Sequence, residues 1–373
     1  MGDPDPLDPV HLTRFRRALS SAPSSNLHSI RANEPERPFH ETIIRLCKAR
    51  LGPGRLTAGE YGKYSQIGQS SKDLLRFVGV QVQAKLHAAC NDRDWFAVTK
   101  NKLLFEMTML GARLPVARTS AVYDRKGRGA GVPILKDPES LKRFLFEEAA
   151  FPLFCKPTTG VYSLGTLHLD RGSRDTLVVN GKHERSIDDV TTFISTTSPK
   201  GYLFQKVLRP DPVLGKVAGF SGLASLRFLV LFGKSGPAIE RCVAKIPGEG
   251  QVADNFWRTG AQLWAVNPTT GQVERKVEQV ADTLKPRLLA AQEPLTIPAF
   301  SRAVEIVSEA SCLLPGIRTQ SWDVALSDEG PVLLEVNFGG DLSLAQQAHG
   351  EGVLSPAYCS HLRECGYVGS LPN

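Results

Sequence analysis

Ser321-Trp322-Asp323-Val324-Ala325-Leu326-Ser327-Asp328-Glu329-Gly330-Pro331-Val332-Leu333-Leu334-Glu335-Val336-Asn337 is the stretch from which the fold is read. Two apolar runs of strand length flank a Ser-Asp-Glu-Gly turn, so the segment reads as a β-hairpin. Side chains on a strand alternate faces, which sends Glu335 and Asn337 to the same side. If the strands pair across the turn, Asp323 reaches that end too. Two carboxylates and an amide oxygen then converge, a hard-oxygen set of the kind Mg2+ takes beside phosphate oxygens. The same residues also suit the polar outward positions of an ordinary hairpin. Against that plainer reading, Glu335 and Asn337 interrupt an apolar strand at its end, and Gly339-Gly340 follow at once.

Working back along the chain, Phe154-Cys155-Lys156-Pro157 leads into a Gly/Ser/Thr-containing loop that ends at Gly165. A lysine at a strand end before such a loop can cradle phosphates. Lys-Pro after an apolar strand is equally an ordinary turn. Neither the G-x-x-x-x-G-K-[ST] order nor a G-x-G-x-x-G fingerprint is present. Tyr202-Leu203-Phe204-Gln205-Lys206-Val207-Leu208 reads as a strand that either presents edge amides to a purine, with Leu208 as an apolar wall, or is a strand and nothing more. Ser225-Leu226-Arg227-Phe228-Leu229 sets an arginine in an apolar strand, which calls for a carboxylate or phosphate partner.

Around these segments the chain is organised as an α/β protein. Residues 1–37, rich in Pro, Ser, Asp and Arg, read as a loosely held arm, with residues 10–19 as a short basic amphipathic helix. Helical spacing covers 40–51, stopped by Gly52-Pro53-Gly54, and then 70–91. Helices are expected over 100–110, 141–149 and 297–313. Strands are expected over 119–123, 151–157, 166–169, 176–179, 202–207, 225–232 and 238–246, with a short extended run at 114–117. The expected division is an N-terminal arm and helical cap (1–94), an α/β subdomain (95–150), a lid subdomain (151–208) and a C-terminal subdomain carrying the metal site (209–373).

Composition bounds the function. The 373 residues are 42% hydrophobic and 22% charged, as in ordinary soluble globular proteins. The formal net charge of +7 is spread among acids, without a dense basic tract or an aromatic-basic platform. A nucleic-acid partner is therefore not expected, and an anionic small ligand is. The seven cysteines form no C-x-x-C pair and no zinc spacing, and read as reduced thiols. No apolar run approaches the roughly 18–20 residues of a membrane span, and Met1-Gly2-Asp3-Pro4 opens no secretory signal. The expected location is the cytoplasm.

In order, Lys156-Pro157, the Gly loop, Gln205-Lys206-Val207-Leu208, Arg227, Asp254-Asn255-Phe256 ahead of Gly260, Asp323 and Glu335-Val336-Asn337 resemble the ATP-grasp superfamily. The nearest resemblance is to its sugar-transfer-associated family, over about residues 95–350. The resemblance implies an ATP-grasp fold with a helical N-terminal region. It implies that Lys102 and Lys156 contact ATP phosphates, with Asn101 standing where many relatives have Asp. It further implies that Gln205, Lys206 and Leu208 meet the adenine, that Asp211 falls near the ribose, and that Arg227 stabilises the transferred phosphate. Asn255 would face phosphate or substrate. Asp323, Glu335 and Asn337 would hold two magnesium ions, Glu335 bridging them, with manganese able to substitute.

The implied reaction converts a carboxylate to an acyl phosphate at the expense of ATP and then to an amide by attack of an amine, on small-molecule or peptide-like substrates, under a lid over residues 160–165. A phosphotransferase acting on a hydroxyl, and a non-catalytic nucleotide-binding protein, stay open beside it.

Overall fold

Two seven-stranded sheets, each drawn from its own half of the chain, carry the structure. The computed structural model describes residues 7, 37–65, 70–129, 131–160, 165–198, 200–218, 222–251, 259–280, 287–290 and 294–372. The first sheet has the order β2-β1-β7-β3-β4-β5-β6, from β1 (Thr119–Tyr123), β2 (Ile134–Leu135), β3 (Leu153–Pro157), β4 (Leu167–Arg171), β5 (Thr176–Val179), β6 (His183–Ser186) and β7 (Tyr202–Lys206). The second has the order β12-β11-β10-β9-β8-β13-β14. Its members are β8 (Ser225–Gly233), β9 (Gly236–Ile246), β10 (Gln262–Val266), β11 (Val273–Glu278), β12 (Arg287–Leu288), β13 (Thr319–Ser327) and β14 (Gly330–Phe338). The expected division at residue 150 falls inside the first sheet, between β2 and β3.

The helices among the described residues are α1 (Phe39–Leu51), α2 (Ala58–Tyr64), α3 (Ser71–Leu74), α4 (Val80–Cys90), α5 (Phe96–Lys100), α6 (Lys102–Gly111), α7 (Pro138–Arg143), α8 (Ile187–Thr197), α9 (Pro212–Ala218), α10 (Phe300–Cys312), α11 (Leu342–His349) and α12 (Pro356–Glu364).

The second sheet is buried on both faces, and the period of two assigns each residue its side. Leu226, Phe228 and Val230 of β8 join Trp322, Val324 and Leu326 of β13 and Val336 of β14 in a core under α6 and α10. The alternate positions Leu229, Leu231, Val243, Leu263 and Ala265 meet α4, α11 and α12 on the other face. A separate core, including Cys155, Leu169, Val179, Phe193 and Phe204, lies under the first sheet.

Several expected helices are interrupted for local reasons. The stretch 70–91 is two helices, because Glu60 spans the break. One Glu60 oxygen accepts from the backbone of Thr57 (2.8 Å) and the other from Val80 N (2.7 Å), giving α4 its N-terminal partner. Near 100 the break is Asn101, whose Oδ1 accepts from Leu103 N (3.0 Å) and Leu104 N (3.2 Å) and starts α6 at Lys102. The stretch 141–149 is α7 followed by a π-turn at Phe144–Glu148. The run 114–117 makes a single bridge, Val116 to Leu333. Strands β10 and β11 were not expected from the sequence. The 10–19 helix lies outside the described residues.

Candidate active site

The hairpin forms with the expected turn, Ser327 pairing with Gly330, and Asp323 stands directly opposite Glu335. On its other side Asp323 is the register partner of Arg227. Three adjacent strands thus bring Arg227, Asp323 and Glu335 side by side. Asn337 follows Glu335 two residues on, and Trp322, Val324 and Val336 occupy the opposite face.

Asp323 is 4% exposed, and both its oxygens are engaged. Arg227 donates from Nε to Oδ1 (2.7 Å) and from Nη2 to Oδ2 (2.5 Å), a bidentate pair. Lys245 Nζ lies 3.2 Å from Oδ2. Burial alone would push the Asp323 carboxyl up, but the Arg227 guanidinium and Lys245 ammonium override it and hold the group well below the usual carboxylate range. Burial likewise opposes the charge on Glu335, and Lys102, with Nζ 3.3 Å from Oε2, turns the balance and lowers its pKa. Lys156 and Arg227 act in the same direction. Asn337 donates Nδ2 to Glu335 Oε1 at 3.4 Å.

Two lysines reach this cluster from elsewhere in the fold. Lys102 opens α6, where its backbone N–H donates to Thr158 O (3.1 Å) and its ammonium also donates to Gly160 O (3.1 Å). The helix start and the loop after β3 are thereby tied together. Lys156 is buried on β3 across from Leu203, with its ammonium 6.0 Å from the Phe154 ring centroid. Four cations, Lys102, Lys156, Arg227 and Lys245, converge on two carboxylates. The excess of positive charge in a partly dry site suits a polyphosphate. The donor set also fits magnesium: every candidate ligand is a hard oxygen, from Asp323, Glu335 and Asn337.

The other residues singled out in the sequence fall as follows. Gln205 is buried on β7, and its Nε2 donates to Ala117 O (3.1 Å) and Thr119 Oγ1 (3.2 Å). Thr119 in turn donates its N–H to the buried Glu106 at 2.7 Å and its hydroxyl to the same carboxylate. Lys206 is exposed, 3.9 Å from Glu329, and Leu208 is half-buried. Asp211 Oδ1 accepts from Leu214 N at 2.9 Å, at the start of α9. Asn255 and loop residues 161–164 lie outside the described residues.

Sequence reasoning missed Lys245 and Glu106. The signal for Lys245 was the anomaly already used for Arg227: a lone cation in the apolar run Cys242-Val243-Ala244-Lys245-Ile246. Glu106 interrupts Leu103-Leu104-Phe105 and Met107 in the same manner. Beside the cluster, Arg227, Arg241, Ser321, Gly339 and Asp341 line a small cavity.

Residues 81–358 match the family described as sugar-transfer associated ATP-grasp. No curated protein matches the sequence. Among solved structures the chain is similar to the ATP-grasp ligase PsnB complexed with minimal precursor, at 14% identity over 74% of this chain and 64% of that one, TM-score 0.38. It is similar to a D-alanine-D-alanine ligase from Helicobacter pylori at 12% identity, over 72% and 60% of the two chains, TM-score 0.40. A phosphoribosylamine-glycine ligase from Thermotoga maritima matches at 13% identity over 73% and 56%, TM-score 0.44. The chain thus spans less than two thirds of the length of each of these three.

Proposed function

The chain belongs to the sugar-transfer associated ATP-grasp family, and from that premise we propose that it is an ATP- and magnesium-dependent ligase joining a carboxylate to an amine. The observation that carries this reading is the row Arg227–Asp323–Glu335 across three strands, with Lys102, Lys156 and Lys245 converging on it. Asp323, Glu335 and Asn337 would hold the metal, Glu335 bridging if two ions are taken. Bound magnesium neutralises charge on the transferring phosphoryl group.

The protein's own groups supply the remainder. Lys102 and Lys156 exchange their carboxylate partner for phosphate oxygens, so nucleotide entry replaces one set of ion pairs with another. Arg227, held by Asp323 in a fixed orientation, and Lys245 point positive charge at the equatorial oxygens, where negative charge develops. Lys206 and Leu208, with the β7 backbone that Gln205 anchors, border the adenine, and Asp211 lies toward the ribose. The cavity beside Arg227 and Arg241 receives the substrate carboxylate. That carboxylate attacks the γ-phosphorus, ADP leaves, and the amine displaces phosphate from the acyl phosphate with loss of a proton. Asn255 is assigned to the phosphate or substrate side, and the acyl phosphate calls for a lid over the site that excludes water.

The test is a screen of acids with amine acceptors for magnesium-dependent release of ADP and phosphate, using substrate acid carrying a heavy-oxygen label in its carboxylate. Ligation through an acyl phosphate puts the label into released phosphate. A phosphorylated product without phosphate release would establish the phosphotransferase reading and sink this one. Absence of any magnesium-dependent nucleotide binding would leave a non-catalytic protein.

A further inference from the structure

At the far end of the same face of the second sheet, four residues back along β13 from Asp323, lies a group of soft ligands around Thr319 that this chemistry leaves unused. Cys90 closes α4, while His361 and Cys365 are one turn apart at the end of α12. The side-chain ligand atoms of all three lie within 4.8 Å of one another. His361 Nε2 is 3.5 Å from Cys365 Sγ and 3.3 Å from Thr319 Oγ1 on β13. The Tyr358 ring stacks on His361 with centroids 6.4 Å apart and 26° between planes, which restricts the imidazole.

The spacing is that of ligands around one ion. With zinc–sulfur bonds of about 2.3 Å and zinc–nitrogen bonds of about 2.0–2.1 Å, tetrahedral angles separate sulfur from nitrogen by about 3.5 Å. A His-x-x-x-Cys pair on one helical face supplies two such ligands without backbone movement. Cys90 and His361 are buried and Cys365 is half-buried, so one side of the cluster has a way in for an ion. The hydrogen bond between the two thiols lowers the pKa of Cys90 and, with burial, raises that of Cys365; Arg318, whose guanidinium donates to Phe232 O and pairs with Glu364, adds a smaller pull that favours the Cys90 thiolate.

We propose that Cys90, His361 and Cys365 form a zinc site with a water or Thr319 Oγ1 in the fourth position. It is independent of the nucleotide site and of the reaction assigned there. The ion joins α4 to α12 across the end of β13, where Asn91 Oδ1 already accepts from Thr319 N (2.9 Å) and Asn91 bridges to Ile317. Helix α4 also carries His87, whose Nε2 lies 2.9 Å from Gly340 O, and Gln83, whose Oε1 accepts from Leu342 N at 3.0 Å. The clasp therefore steadies the helix that holds the turn after Asn337.

The experiment uses full-length reduced protein, freed of metal with a chelator and then titrated with zinc or cobalt chloride. One equivalent of cobalt is expected to bind and give thiolate charge-transfer absorption with the intense d–d bands of a tetrahedral site. Zinc is expected to displace it, to raise the melting temperature and to protect Cys90 and Cys365 from alkylation by at least tenfold, read by peptide mass mapping. Cys90→Ser and Cys365→Ser lose the spectrum; Cys47→Ser, on the exposed face of α1, keeps it. If the variants fail to fold, alkylation of the wild-type chain with and without zinc decides. Unchanged alkylation, no stoichiometric cobalt spectrum, or a Cys90–Cys365 disulfide in protein isolated without reductant would each overturn the proposal.

Discussion

Replacing Arg227 by Met removes both hydrogen bonds to a carboxylate that is 4% exposed, and leaves Asp323 with Lys245 alone at 3.2 Å. Breaking a buried ion pair from one side costs about 3–5 kcal/mol, because the surviving charge is stranded out of water. Lys245 compensates part of that charge, so the expected cost is near the lower end, about 3 kcal/mol. In an Asp323→Asn background the guanidinium has already lost its anionic partner, and the same change should cost about 1 kcal/mol. The coupling energy is then about 2 kcal/mol, within the range for contacting residues. Of the four tryptophans, Trp264 and Trp322 are buried in the second sheet and Trp95 packs against the same core, so tryptophan fluorescence during urea unfolding reports mainly on that sheet. At a slope of about 2 kcal/mol per molar urea, the coupling appears as a difference of about 1 M between midpoint shifts. The pH dependence has a definite sign. The folded Asp323 carboxyl titrates lower than the unfolded one, so its stabilisation is complete above the unfolded value near 3.9 and drains away as pH falls through the folded value. The Arg227→Met penalty must therefore shrink in acid. Equal penalties in the wild-type and Asp323→Asn backgrounds would refute the reasoning, since the pair would then not be what Arg227 contributes.

Other expectations follow from the same geometry. Glu335→Gln and Lys156→Ala should each abolish magnesium-dependent nucleotide turnover while leaving circular dichroism unchanged; full activity in both sinks the site assignment. Gly339 has φ +85°, and an added Cβ would collide with the His87 ring. Gly339→Ala should therefore lower stability by about 1–3 kcal/mol, visible as a drop in melting temperature. Burial, and then the neighbouring Arg241, push His349 down to about 4, and its Nε2 lies 2.9 Å from Cys242 O. A depressed folded pKa means this contribution is intact above the unfolded value near 6.5 and is lost as pH falls toward about 4, amounting to about 3 kcal/mol. His349→Gln should flatten melting temperature against pH across that interval, and an unchanged profile counts against it.

The hairpin was legible because its message is local: alternation, a four-residue turn and polar residues at one end specify both pairing and side. Arg227 was legible as an anomaly, a charge in an apolar strand. Its partner was not, because the two lie 96 residues apart and no local pattern encodes the register between β8 and β13. Lys245 carried the same anomaly and was passed over. Asn101 was noted only as standing where many relatives have Asp; its oxygen caps α6, a role that the residue type alone does not announce. Strands β10 and β11 alternate less clearly, since Trp264 and Lys276 pair across them with the ammonium 4.1 Å from the indole. Cys90 and Cys365 illustrate the remaining limit: spacing rules detect ligands that are near in sequence, and these meet only through tertiary packing.

Helix α4 has a consequence for how the chain is made. Its Gln83, His87 and Cys90 all find their partners between residues 319 and 365, and Asn91 bridges to Ile317. A ribosome delivers the helix long before those partners, so Val82 and Leu86 travel through most of synthesis without the core they pack into. The first sheet can close meanwhile, since all its strands lie between 119 and 206. The second cannot, and such long-range closure is slow. The turn behind the candidate metal ligands is therefore among the last parts of the molecule to become rigid, and a chain arrested before Ile317 would offer α4 as an adhesive apolar face to chaperones or to other nascent chains.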